Sequence, residues 1–323
     1  MDRVRVRAVL AAFLGVAAGW PTPVPGATEG GITTTFAESW AANDGGRRVT
    51  AVGLRAPASP APERAAVLVL VDTSASQAGP ARIGSLEALA VVLKALRPDD
   101  AVALAAVDVS CVPLTPTFHA PNDEAVSAAI SALKSRAALG STDFTAALNH
   151  AADTLAPRSE SRVVVYIGDG PGLEGVDAAE FATAVERLAR ERIAVSTLGV
   201  GPRVNWAILA ATAADTGGLF SAADAFGGDS AAAARELAPG LMRAVTWPVA
   251  MRCRAGETSL VTLPRTLPPL RSDRDTIVLV GGDATQARLD IEAGAEKQAA
   301  STVSLAIPAA EPRDDNAYLD ELS

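Results

Sequence analysis

Val67-Leu68-Val69-Leu70-Val71-Asp72-Thr73-Ser74-Ala75-Ser76 sets an aliphatic run directly against a turn of oxygen-bearing side chains. A continuous β-branched and aliphatic segment from Ala66 to Val71 is the pattern of a strand buried on both faces of a parallel sheet. Its end matters as much as its interior. In open α/β sheets, ligands sit beyond the carboxyl ends of the strands, and here that end carries the carboxylate of Asp72 and the hydroxyls of Ser74 and Ser76. Such oxygens suit a hard cation. Ser and Asp are also common turn formers, so the pattern needs support from elsewhere in the chain.

Outward from this stretch, strands and helices alternate. Ile83, Leu86, Leu89, Ala90, Leu93 and Leu96 recur at helical spacing until Pro98. Strands are expected at Ala101 to Val107 and Cys111 to Thr115, too closely joined for a helical crossover and therefore antiparallel at one edge. A helix from about Asp123 to Ser135 follows, and another after Thr142-Asp143. Then come a strand at Arg162 to Ile167, a helix at Ala178 to Glu191 and a strand at Ile193 to Val200. Helices near Asn205 to Ala214 and Ser230 to Arg243 flank a short strand at Leu219 to Ser221. The expectation over 63–245 is a doubly wound α/β domain, a mostly parallel sheet of six strands with one antiparallel edge strand.

The flanks differ in character. Ile32 to Leu54, with Asn43-Asp44-Gly45-Gly46 in its middle, reads as two strands around a turn, followed by a linker with Pro57, Pro60 and Pro62. Beyond Trp247 the helical periodicity disappears, and short β-type runs stand at Ser259 to Leu263, Thr276 to Val280, Ala287 to Ile291 and Ser301 to Ile307. Residues 28–62 and 246–310 are therefore expected to pair into one small all-β, sandwich-like accessory domain with the α/β domain inserted between them. Residues 311–323 start like a capped helix and then stop.

The N-terminus has the form of an export signal over 1–27: Arg3, Arg5 and Arg7, then a short apolar run from Ala8 to Gly19, then Trp20-Pro21. An uncleaved signal anchor is the alternative. The run is shorter than the roughly 20 residues a bilayer span needs, and no later segment is long and apolar enough, so the mature chain is expected outside the cytoplasm without a span. A formal charge of -9 argues against nucleic acid as a partner, because phosphate binding depends on clustered cations. Cys111 and Cys253 are the only cysteines; in an oxidising compartment they could bridge, and two buried free thiols are the simpler alternative.

Two further segments strengthen the site. Gly140-Ser141-Thr142-Asp143 opens a helix, and Val163-Val164-Val165-Tyr166-Ile167-Gly168-Asp169-Gly170 ends a strand with an acid. Together with the first loop, these segments resemble the von Willebrand factor A domain with a metal-ion-dependent adhesion site. Val195-Ser196-Thr197-Leu198-Gly199-Val200-Gly201, a helix, and Thr216-Gly217-Gly218 are similar to that family's fifth strand and its sequel. The resemblance spans about 64–243 and implies metal ligation by Asp72, Ser74 and Ser76 from the first loop, Thr142 from the second and Asp169 from the third. Asp143 reads instead as the cap of the helix that follows. Mg²⁺ or Mn²⁺ would be the ion. Mg²⁺ takes octahedral oxygen coordination and keeps several waters, so three hydroxyls and two acids leave a position open. Because neutral hydroxyls leave the cation under-neutralised, an Asp or Glu from a partner protein can complete the shell. The function so implied is non-enzymatic, divalent-cation-dependent protein binding, as in adhesion or scaffolding.

Other classes fit less well. A haloacid-dehalogenase-type hydrolase needs a second carboxylate two residues after its nucleophile, where this chain has Ser74. No G-x-S-x-G elbow accompanies His119 or His150, and no G-x-x-x-x-G-K-[ST] loop or complete dinucleotide fingerprint occurs. A structural or assembly role, with the metal loops only stabilising or unused and the β unit adding strands to a partner, stays open.

Overall fold

The computed structural model describes residues 31–42, 47–172, 175–294 and 301–319. The export signal, the Asn43–Gly46 turn and the last four residues lie outside that range. The chain divides into two compact units, one of 61–243 and one of 1–60 with 244–323.

Two strands come first, β1 (Thr33–Ala41) and β2 (Arg48–Arg55). The α/β unit then runs β3 (Ala65–Asp72), α1 (Pro80–Ala95), β4 (Ala101–Val107), β5 (Cys111–Pro113), α2 (Glu124–Ser135), α3 (Phe144–Leu155), β6 (Ser161–Gly168), α4 (Ala178–Arg190), β7 (Ile193–Gly199), α5 (Trp206–Asp215), β8 (Phe220–Ala222) and α6 (Ser230–Leu237). Its six strands lie in the order β5-β4-β3-β6-β7-β8, all parallel except β5, which pairs antiparallel with β4 at the edge. This is the doubly wound sheet expected above, antiparallel edge included.

Alternation along β3 builds a core on each side of the sheet. Val67, Val69 and Val71 pack with Leu89 and Val92 of α1, Leu133 of α2 and Leu237 of α6. Ala66, Leu68 and Leu70 pack on the other face with Phe144, Leu148 and Leu155 of α3, Leu188 of α4 and Leu209 of α5. Each fully buried Leu or Val contributes about 1.5–3 kcal/mol relative to exposure. The helices begin where short polar side chains take up free backbone N–H groups: Asp123, Asp143, Asp177, Asn205 and Asp229 each accept from the first turn that follows. The last helix is shorter than its composition suggests. It closes at Leu237 into a 3-10 turn over Ala238–Gly240, because Pro239 has no N–H to continue the ladder.

The second unit adds β9 (Trp247–Ala255), β10 (Thr258–Ser259), β11 (Val261–Leu263), β12 (Thr276–Gly281), β13 (Arg288–Gly294) and β14 (Ser301–Ala306). These form two four-stranded sheets, β1-β2-β12-β11 and β10-β9-β13-β14. Val52, Leu54, Val278 and Val280 of the first share one core with Cys253, Leu289, Ile291 and Leu305 of the second, so strands from both sides of the α/β unit in sequence build one β unit. Two details depart from the sequence expectation. The run Ser259 to Leu263 is divided between the sheets, β10 in one and β11 in the other, with Leu260 between them donating its N–H to Cys253. Strand β9, at the centre of its sheet with β13 beside it, carries Pro248, which masked the alternation of inward Met251 and Cys253 with outward Arg252 and Arg254.

Cys111 and Cys253 are both free thiols, each within its own unit. Cys111 packs against the α3 face of the sheet and Cys253 inside the β unit, and burial pushes the two thiols up to about 12 and about 11. Such thiols are poor nucleophiles and sit as small apolar groups.

Candidate functional site

Strand order places the site. The chain steps from β3 to β4 on one side and returns to β6 on the other, so the tops of β3 and β6 flank the point where the winding reverses. At such a switch point the following loops diverge and leave a crevice. Asp72 is the last residue of β3, and Asp169 follows the last residue of β6. The loop before α3 contributes Thr142.

These residues meet. The Ser74 N–H donates to Asp72 Oδ1 at 2.9 Å, folding the turn back over its own carboxylate. Thr142 Oγ1 donates to Asp72 Oδ2 at 3.0 Å. Ser74 and Ser76 hydroxyls lie 3.0 Å apart, and Ser76 Oγ donates to Asp169 Oδ1 at 3.0 Å. Asp72, Ser74, Ser76, Thr142 and Asp169 thus form one hydrogen-bonded cluster drawn from three loops. Ser76 is half-buried; the other four are buried. Asp143 stands apart from the cluster, and its carboxylate accepts the Ala146 N–H at 2.9 Å and caps α3.

A residue that the sequence offered only as part of a buried strand sits beneath the cluster. Tyr166 Oη donates to Asp72 Oδ2 at 2.6 Å and accepts the Gly170 N–H at 3.0 Å, which ties the β6 loop to the β3 carboxylate. Its ring is held edge-on by Phe144 of α3, centroids 4.9 Å apart. Gly168 makes room for this bond, since a Cβ there would stand 2.3 Å from Asp72 Cβ and 2.7 Å from the Tyr166 oxygen. On the other side Gln77, fully buried, donates to the Val200 carbonyl at 2.9 Å and accepts from Ser85 at 3.1 Å. Gly201, at φ +138°, leaves the space that Gln77 and Asp169 occupy. The only signals for these parts were a lone phenol and a lone amide among apolar neighbours, since buried polar groups need partners.

Thr73 faces away from the cluster. It is packed with Asp108 and Arg136: Thr73 Oγ1 lies 3.1 Å from Asp108 Oδ2, which takes the Arg136 guanidinium at 2.7 Å. This pins the β4–β5 turn to the first loop, and the Asp143 N–H to the Asp108 carbonyl at 2.8 Å adds the α3 loop.

Electrostatically the cluster is acidic, with Arg203 acting on Asp169 and Arg82 on Asp72 only through space. Burial pushes the Asp72 carboxyl above the usual range, against hydrogen bonds from Tyr166 and Ser74, and the Asp169 charge adds to the rise. Asp169 is raised by burial too, against hydrogen bonds from Ser76 and Gln77. Both accept hydrogen bonds from neutral donors, so their negative charge is dispersed rather than neutralised. Among the described residues no group of three or more His, Cys, Asp or Glu could hold a metal ion, and no helix is long and apolar enough to cross a membrane. Two acids and three hydroxyls are instead an all-oxygen donor set, matched to a hard cation and unsuited to softer metals.

The family model of the von Willebrand factor type A domain matches residues 65–222. Among solved structures, a von Willebrand factor type A protein from Catenulispora acidiphila superposes with a TM-score of 0.52 at 16% identity, over 90% of this chain and 76% of that one. The ArnB paralog VWA2 from Sulfolobus acidocaldarius gives 0.53 at 14% identity, over 89% and 78%. At these identities the likeness is one of fold. No curated protein matches the chain. With its sheet order and this match in agreement, the unit of 61–243 contains a von Willebrand factor type A domain over residues 65–222.

Proposed function

We propose that the α/β unit is a divalent-cation-dependent protein-binding module, in which Asp72, Ser74, Ser76, Thr142 and Asp169 hold Mg²⁺ or Mn²⁺. The observation that carries this reading is the meeting of two buried carboxylates, both raised by burial, with three hydroxyls at the switch point of the sheet. Two buried acids facing each other without a cation are costly, and a bound cation removes that cost. Hydrogen bonds within the cluster bring the five oxygens of the three loops together. The bound ion would supply a positive centre with an open position, which a carboxylate of a partner protein fills. No turnover is assigned to the site: Asp72 and Asp169 are read as donors to a cation, with Asp72 held in place by Thr142 and Tyr166. The basic and then apolar N-terminal sequence supports export, placing the module outside the cytoplasm.

Mn²⁺ titration followed by electron paramagnetic resonance tests the reading, because free Mn²⁺ gives a strong signal that one equivalent of protein removes. The expected result is one captured ion per chain, displaced by Mg²⁺, held more tightly when a blocked glutamate peptide is present, and lost in Asp72→Ala. A folded wild-type chain that leaves the signal unchanged with and without the peptide would overturn it.

A further inference from the structure

The rim of the same site has a feature that cation chemistry does not use. Val109 and Leu139, 66% and 68% exposed, are the most exposed large apolar side chains among the described residues, and both belong to loops that build the site. Val109 is the apex of the β4–β5 turn, closed by Asp108 N–H to the Ser110 carbonyl at 3.0 Å and by Ser110 N–H to Asp108 Oδ1 at 3.3 Å. Leu139 immediately precedes Gly140-Ser141-Thr142, and its N–H donates to the Thr73 carbonyl at 3.2 Å. The two loops touch. A Cβ on Gly140 would meet Val109 Cγ1 at 2.8 Å, and Gly140 stands at φ +72°, so glycine alone lets Val109 lie against the site loop.

The turns that carry these side chains are held by hydrogen bonds. Asp108 is locked by Arg136 and Thr73, and the Gly140 carbonyl accepts the Ala75 N–H at 3.0 Å from the first loop. Leu139 lies three residues before Thr142, so its Cα is at most about 11 Å from the threonine's. One or two residues of extended chain, with their side chains, cover that span. The polar neighbours do not repel an acidic visitor: the Asp108 carboxylate is turned inward onto Arg136, the Asp143 carboxylate caps α3, and Arg203, exposed, acts on Asp169 as a positive charge.

We propose that Val109 and Leu139 form an apolar rim that selects partners carrying a large apolar residue one or two positions from the acid that enters the site. This rests on the cation-dependent reading of the site given above. The cation supplies orientation and the requirement for an acid; the rim supplies discrimination among acids, since an apolar anchor buried next to a fixed polar contact is what concentrates binding energy. A partner whose acid is flanked by glycine or serine would leave both side chains in water.

The test uses two blocked synthetic peptides, Gly-Phe-Glu-Phe-Gly and Gly-Gly-Glu-Gly-Gly, titrated into the full chain with Mg²⁺, with wild type, Val109→Ser/Leu139→Ser and Asp72→Ala. Mg²⁺ is titrated alone in parallel. The wild type is expected to favour the phenylalanine peptide by roughly tenfold or more, the size of one buried apolar anchor. The double variant should lose that preference while its Mg²⁺ titration stays unchanged, and Asp72→Ala or chelator should abolish binding of both peptides. Equal affinity for the two peptides, or a preference that survives the double change, overturns the proposal while leaving the cation reading intact. Absence of Mg²⁺ binding in the wild type overturns both. If the wild type sediments as a dimer and the double variant as a monomer, the rim is covered by a second copy and the proposal fails.

Discussion

Tyr166 shows how much of the site depends on a group that never reaches the surface. Its hydroxyl satisfies Asp72 and Gly170 together, and burial then holds its own proton on far more firmly than usual, so it stays a donor across the accessible pH range. Tyr166→Phe deletes only the oxygen and leaves a buried carboxylate oxygen and a buried N–H short of a partner. The expected loss is about 1–3 kcal/mol, read from chemical unfolding in the absence of divalent cations. Gly168→Ala forces a methyl group into the contact between Asp72 and Tyr166; the expected cost is about 1–3 kcal/mol from overpacking, together with weaker Mg²⁺ binding, measured by unfolding and titration of one preparation. In the sequence the loop residues Asp72, Ser74, Ser76, Thr142 and Asp169 stood out only together: each loop alone is ordinary turn chemistry, and the resemblance to the von Willebrand factor A domain joined the three. Tyr166 and Gln77 did not, since one aromatic in a β run and one amide in a turn have ordinary uses, and their partners lie 94 and 123 residues away.

At the scale of elements, polar side chains at the joints decide where strands and helices begin. Asp100 closes the turn between α1 and β4: Oδ1 takes the Ala65 N–H at 2.9 Å and the Arg97 guanidinium at 2.7 Å, and Oδ2 takes the Arg97 N–H at 2.8 Å. It ties the starts of β3 and β4 together beneath the sheet. Burial raises its carboxyl, but these donors outweigh burial and hold it below the ordinary 3.8. A depressed folded value means that the charged form is favoured in the native state, so this stability is present above pH 3.8 and is lost as pH falls through the folded value. Asp100→Asn is expected to cost about 1–3 kcal/mol at neutral pH and to flatten the decline in stability below about pH 4, checked by unfolding curves across the acid range. Long periodic elements such as α3 and β6 were legible because burial on one stripe or both faces dictates their composition. The division of β10 from β11 was not, because the chain changes sheet at Leu260 through tertiary pairing that no local pattern records. Pro248 hid β9 for the opposite reason: proline argues locally against a central strand, and it is accommodated here because the ladder with β13 shifts register between Glu292 and Ala293, beside Pro248.

At the scale of the molecule, the donors of the site all belong to the unit of 61–243, while the flanking strands close a core of their own. Leu289→Ala in that second core is expected to destabilise it by about 2–5 kcal/mol, followed by calorimetric unfolding, and to leave the Mg²⁺ titration unchanged. The central claim is that the five oxygens at the top of β3, β6 and the α3 loop are a cation site, and isothermal titration of Mg²⁺ into the purified chain tests it most directly. One saturable site is expected in the wild type, lost in Asp72→Ala and in Ser74→Ala/Ser76→Ala while both variants keep the wild-type circular dichroism. Heat of binding that persists in these folded variants, or no saturable binding by the wild type, would contradict it.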